Sequence, residues 1–233
     1  MGWTLITGAS GGLGKAIALR LAEEGRSLYL HYHKSSGAAQ DLAVACSQKG
    51  AKVKVVGGDF STDQSVSRFL EQIEDVAHLV NNVGTFHIQP GSQTSCSKWK
   101  ELYQLNFFAP LALIEGCMPA IVKHRGNIVN IGSVGVGICR ADAKFTAYTG
   151  SKMSLYFLTK SMAKELASQG VRVNMVSPGE MENSVSFPRA AGELPMGRKA
   201  SLKETAEAVA FFLDPANGYI TGQNLEVGGG IAL

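Results

Sequence analysis

The sequence predicts a doubly wound α/β domain of Rossmann type with a seven-stranded parallel sheet, and three observations carry that reading. Short β-rich runs alternate with longer runs of helical period. A glycine-rich turn follows the first strand. Polar residues and glycines gather where the strands end, which is where an open parallel sheet binds its ligands.

The first strand is read in WTLIT (3–7) and the first helix from Leu13 to Glu24. Strand SLYLHY (27–32), a helix from Gly37 to Gln48, strand KVKVVG (52–57), a helix from Thr62 to Glu74 and strand AHLVNN (77–82) follow. The second half gives one long helix from Ser97 to Lys123, strand GNIVNIGS (126–133) and a helix from Phe145 to Ser168. Strand VRVNMVS (171–177), a helix from Leu202 to Leu213 and a last strand NLEV (224–227) complete the pattern. Right-handed crossovers between parallel strands place helices on both faces. No Pro/Ser-rich linker or charge block divides the chain, so one domain is expected over residues 1–233.

Composition removes several function classes. Apolar residues are 45% and charged residues 18% of the chain, which excludes disorder. A net charge of +3 with scattered Lys and Arg argues against a nucleic-acid or anionic-membrane partner. Cys46, Cys96, Cys117 and Cys139 have neither metal-site spacing nor the density of a disulfide scaffold, so reduced thiols in a cytoplasm are expected. The N-terminus shows no export signal, Ile6 stands where a myristoylation motif wants Ser or Thr, and no run reaches the ~18 apolar residues of a membrane span. The five histidines show no metal-ligand spacing, and no metal is expected.

In TGASGGLG, Gly8, Gly12 and Gly14 lie on the turn from the first strand into the first helix. Glycine lets the backbone approach a pyrophosphate, and the helix N-terminus adds amide donors. Alone, such a turn is only even evidence for binding. YTGSK places Tyr148 and Lys152 on one helical face, where an ammonium could favour a phenolate. By itself that spacing is better explained by a surface Tyr stacked on a Lys stem. The second strand ends in Tyr32, His33, Lys34 and Ser35 where a dinucleotide fold reading NADH has an acid. An acid there would repel a ribose 2′-phosphate, so NADPH is expected over NADH.

Taken together, the T-G-x-x-x-G-x-G turn, Asp59, NNVG at 81–84, Asn106, Ser133, Tyr148, Lys152, Pro178-Gly179 and YITGQNLEVGGG resemble the short-chain dehydrogenase/reductase family over essentially the whole chain. The resemblance implies that Ser133 hydrogen-bonds a substrate carbonyl and Tyr148 protonates it, while NADPH gives hydride. Lys152 would hold ribose hydroxyls and lower the tyrosine pKa, with Asn106 joined to it through a water. For the cofactor it further implies Gly8, Ser10, Gly12, Leu13 and Gly14 at the pyrophosphate, Asp59 and Phe60 at the adenine, Asn82, Val83 and Gly84 behind the adenosine, and Pro178 and Gly179 over the nicotinamide. Val83 and Asn183 depart from the family's usual Ala and Thr.

Within the family the chain is most similar to bacterial 3-oxoacyl-[acyl-carrier-protein] reductases, which implies a homotetramer paired through the helices at 97–123 and 145–168, and an acyl carrier protein as partner. Lys123, Arg125, Arg140 and Arg189 are read as its acidic surface's contacts, and Phe187, Leu194 and Met196 as apolar contacts in a lid over 180–199. The rival enzyme is a pteridine reductase, which LHYHKS resembles but whose usual Asp is replaced here by Ser133. The rival outside enzymes is a dinucleotide-binding sensor or scaffold.

Overall fold

Residues 2–184 and 194–233 are described in a computed structural model. Its strands are β1 (Trp3–Ile6), β2 (Ser27–Tyr32), β3 (Lys52–Gly57), β4 (Val76–Asn81), β5 (Asn127–Ile131), β6 (Arg172–Pro178) and β7 (Asn224–Val227). They form one parallel sheet in the order β3-β2-β1-β4-β5-β6-β7. The order reverses between β1 and β4, so the connections leave on opposite sides and open a crevice beyond the strands' carboxyl ends.

Side chains alternate across the pleat, and neighbouring residues accordingly serve different cores. Ile6, Val80, Val129 and Val176 face α1 (Gly12–Ala22), α2 (Ser36–Gln48) and α7 (Leu202–Leu213), meeting Ile17, Leu21, Leu42 and Phe212. Leu5, Leu79, Ile128 and Val173 face α3 (Asp63–Leu70), α5 (Ala109–Lys123) and α6 (Thr146–Leu166), meeting Phe69, Leu113, Ile114 and Ala163.

The single helix expected from Ser97 to Lys123 is interrupted. It opens as α4 (Cys96–Tyr103), passes through a π-helical turn over Gln104–Phe108 and continues as α5. Pro110 has no N–H to offer the Asn106 carbonyl, and the Ala109 N–H reaches back five residues to Gln104. By length and composition this 28-residue stretch is apolar enough to cross a membrane. Here Ala109, Leu113, Ile114 and Ile121 are spent on β4 and α3.

After β6 the chain makes an excursion whose base is fixed. The Glu182 N–H donates to Ala200 O at 2.9 Å, and the Ala200 N–H donates to Glu180 O at 2.9 Å. A capping box between Ser201 and Glu204 then starts α7. Of the apolar contacts expected in this segment, Leu194 is buried, Met196 is exposed and Phe187 lies outside the described residues.

At the other end of the sheet His78 is largely buried beside Asn127, 3.2 Å from its amide. Burial, followed by Arg26, Arg172 and His124, pushes its pKa down to about 4. Between pH 6.5 and 4 the unfolded chain binds a proton that the folded chain refuses, so folding weakens as pH falls through this window. His78→Asn should remove on the order of 2 kcal/mol of that acid loss. Urea midpoints at pH 7 and pH 4.5 measure it, and an unchanged difference between the two proteins counts against the assignment.

Candidate active site

The crevice begins at Thr7, just past β1. Its hydroxyl donates to Val80 O and accepts the N–H groups of Asn82 and Val83 at 2.8 and 2.9 Å. Asn82 returns the tie through Nδ2, which donates to Thr7 O at 2.8 Å. Gly8 and Gly12 take φ of +65° and +50°, the left-handed region, and a Cβ on Gly14 would overlap the Gly8 carbonyl oxygen. Nothing stands near Gly11, so the turn is closed on the protein side and open towards the crevice. That cradle fits a pyrophosphate set against the first amides of α1. Ser10 is half-buried in the turn, whereas the Leu13 side chain is in the core, leaving only its backbone for a ligand.

Tyr32 lies against the next strand, for a Cβ on Gly57 would stand 2.9 Å from its ring carbon and hydroxyl. His33, Lys34 and Ser35 are exposed beyond it, and α2 follows with no acid in its first turn. Asp59 turns back on Ser61, accepting its N–H at 2.9 Å and its hydroxyl at 2.6 Å, with His33 at 3.7 Å. The Ser61 hydroxyl holds the carboxyl below its ordinary range. Phe60 is buried below it.

Across the crevice, α6 carries Tyr148 and Lys152. It lacks a cap from its own Phe145, and Asp142 does that work: one carboxylate oxygen accepts the Lys144 and Phe145 N–H groups and the other accepts the Thr149 hydroxyl. Tyr148 emerges one turn in, near Ser133 after β5, with its ring edge-on to Phe86 at 4.6 Å. Burial raises the phenol's pKa, against which Ser133 pulls the other way.

Lys152 is 4% exposed and donates to Ile131 O at 2.7 Å; burial pushes its pKa down to about 8. The expected lowering of the tyrosine pKa by Lys152 is not found in this geometry: burial raises it, and Ser133 is the group that pulls it down. Asn106 is held by protein partners. From the π turn its Oδ1 accepts the Thr85 N–H at 2.8 Å and its Nδ2 donates to Thr85 O and to Ser151, so its side chain fastens the loop after β4. Gly84 lies between the two, where a Cβ would stand 3.0 Å from Asn106 Oδ1 and 3.3 Å from Lys152 Nζ. Val134 N–H donates to Pro178 O and Gly179 N–H to Val227 O, placing Pro178-Gly179 beside Ser133.

A family model described as short chain dehydrogenase matches residues 2–191. The chain belongs to the short-chain dehydrogenase family. It is 35% identical to the uncharacterized oxidoreductase YmfI of Bacillus subtilis (strain 168), with 97% of each chain covered. It is 34% identical to the 3-oxoacyl-[acyl-carrier-protein] reductase FabG of Escherichia coli (strain K12), covering 97% of this chain and 96% of that one. A blue fluorescent protein from a metagenomic library, solved in complex with NADPH, superposes with a TM-score of 0.91 at 28% identity, covering 100% of this chain and 98% of that one.

As a short-chain dehydrogenase the molecule departs from the sequence reading in one charged feature. Lys123 and Arg125 precede β5, and Lys123 pairs with Asp75 just before β4. Both therefore lie at the end of the sheet opposite the crevice of their own chain. Arg140 remains on the crevice side, exposed, and Arg189 lies outside the described residues. Sequence reasoning passed over Asp142 and Ser151, whose only signals were positions six residues before Tyr148 and one before Lys152. It also passed over the reach of Asn183, whose Nδ2 comes within 2.9 Å of a Cβ placed on Gly12. Among the described residues no group of three or more His, Cys, Asp or Glu could hold a metal ion.

The glycine turn gives a paired test. Gly14→Ala should cost about 3 kcal/mol through overlap with backbone that cannot give way, whereas Gly11→Ala, at an extended φ of −166° in open space, should cost at most about 1 kcal/mol as a poorer helix cap. Thermal melts of the two variants measure the difference, and equal losses would refute the packing argument.

Proposed function

We propose that this protein is an NADPH-dependent carbonyl reductase that converts a 3-oxoacyl thioester to the 3-hydroxy form. The observation that carries the reading is Tyr148 set close enough to Ser133 for that hydroxyl to pull its pKa down, one helical turn before the buried Lys152. When bound, NADPH supplies a hydride to the carbonyl carbon. Tyr148 gives its proton to the carbonyl oxygen, and Ser133 donates a hydrogen bond to the same atom. A phenol raised by burial is protonated at neutral pH, as a reductase requires, and reduction slows as pH rises through its titration. Lys152 holds ribose hydroxyls, and Asn106 keeps the loop beneath it in place.

NADPH is favoured because Tyr32 lies against Gly57 and leaves His33, Lys34 and Ser35 to meet a 2′-phosphate without a competing acid. The Escherichia coli relative's named activity and the NADPH in the metagenomic neighbour support the same substrate and cofactor. Apolar side chains on the paired helices, Phe108 at 47% and Phe157 at 73% exposed, support a homotetramer. An acyl carrier protein is the proposed macromolecular partner, with Arg140 at the crevice, and the cytoplasm is the proposed location. Serine at position 133 weighs against the pteridine reductase reading, and the filled Ser133, Tyr148 and Lys152 positions weigh against a sensor without chemistry.

Tyr148→Phe should keep NADPH affinity and lose ~100-fold or more in kcat, the expected cost of removing a positioned acid; wild-type turnover of acetoacetyl thioesters by this variant would refute the proton donor. For cofactor choice, kcat/KM with NADPH should exceed that with NADH at least ~10-fold, and Tyr32→Asp should reverse the order. Equal wild-type efficiencies would refute the 2′-phosphate reading. Turnover of dihydropteridines without activity on acetoacetyl thioesters would move the substrate to the rival enzyme class.

A further inference from the structure

His31, in β2, is buried at 2% exposed and takes no part in the chemistry above. Its ring is fixed from two sides. The Gly8 N–H points at Nδ1 at 2.9 Å, and Nε2 stands 3.1 Å from Gly58 O. A backbone amide can only donate and a carbonyl only accept, so the imidazole is neutral, with its proton on Nε2. Phe60 stacks on it at 4.2 Å and 8°, and Phe69 meets it edge-on at 5.0 Å. Burial pushes its pKa down to about 4, partly offset by Gly58 and assisted by His33, so Nδ1 keeps its lone pair at neutral pH. The main chain adds a second tie, for Ala9 N–H donates to His31 O at 2.8 Å.

The ring therefore joins the turn after β1 to the loop after β3, the two segments between which a dinucleotide's adenosine and pyrophosphate would lie. Gly8 has φ +65°, a conformation that glycine tolerates but does not prefer. The bond to Nδ1 selects it. It also withdraws the Gly8 N–H from the crevice, leaving the free amides at the start of α1 as the pyrophosphate's donors.

We infer that His31 is a positioning residue for the cofactor: its neutral imidazole holds the glycine turn in its pyrophosphate-binding shape before any dinucleotide arrives. It acts through Gly8 and touches no ligand. The inference rests on the proposal that the crevice takes NADPH, and the experiment separates the two.

Wild type is compared with His31→Leu, His31→Asn and His31→Gln. Asparagine places an acceptor oxygen where Nδ1 stands and can take the Gly8 N–H; glutamine reaches Gly58 and cannot. NADPH is titrated by its fluorescence, and hydrogen exchange over residues 7–14 is followed in protein without nucleotide. His31→Leu and His31→Gln should bind NADPH ~10-fold or more weakly, as expected for a donor left without its partner, and should exchange faster over 7–14. His31→Asn should stay within ~3-fold of wild type in both measurements. A merely structural histidine would show asparagine and glutamine equally impaired, and that result overturns the inference, as does wild-type behaviour of His31→Leu. If wild type itself fails to bind NADPH, the cofactor proposal falls, and the exchange comparison alone decides the role of His31.

Discussion

Where the sheet changes direction between β1 and β4, the outgoing chains diverge and their last backbone groups lose the neighbour that a continuing ladder would supply. The Thr7 hydroxyl meets that need almost alone, donating to one strand's carbonyl and accepting two amides from the loop after it. Asn82 answers from the other side. Everything that makes the crevice usable depends on this knot: it sets where the glycine turn starts, and it sets the path along which Gly84 and Thr85 run towards Asn106.

From there support passes to a chain of polar side chains that link loop to helix. Asn106 holds Thr85 and Ser151, and Ser151 returns to the Tyr148 carbonyl at 2.7 Å. The π turn makes this possible, because the additional residue rotates Asn106 into the interior, where it is fully buried. Lys152 is the expensive member. No acid is paired with it among the described residues, and a neutral carbonyl compensates poorly for lost water, which is why its affinity for a proton falls. Such a cation is a natural seat for hydroxyl acceptors arriving in the crevice.

Much of this was legible in the sequence because strand composition and glycine position report directly on the sheet. KVKVVG and SLYLHY were bounded as the structure has them, since each begins after a turn and ends in a polar residue or glycine. The π turn was not legible, for one extra residue within an apolar helix leaves the period intact on either side. Nor was the fate of Lys123 and Arg125. Charge can be counted along a chain, but which end of a parallel sheet it reaches depends on whether it precedes or follows a strand. The engagement of Asn106 and Lys152 escaped for a related reason: most of their partners are backbone atoms of Thr85 and Ile131, and backbone atoms have no letter in a sequence.

The staple beneath the excursion after β6 also bears on how such a protein can diversify. Glu180 to Glu182 is locked to Ala200, and α7 begins immediately beyond on its own capping box. The two ends of the intervening chain are held together whatever lies between them. Lengthening that chain adds only the slow logarithmic cost of a larger loop, on the order of 0.6 kcal/mol per doubling. Segments of other lengths and compositions can therefore be grafted at this point, with the sheet and Tyr148 insulated from the exchange.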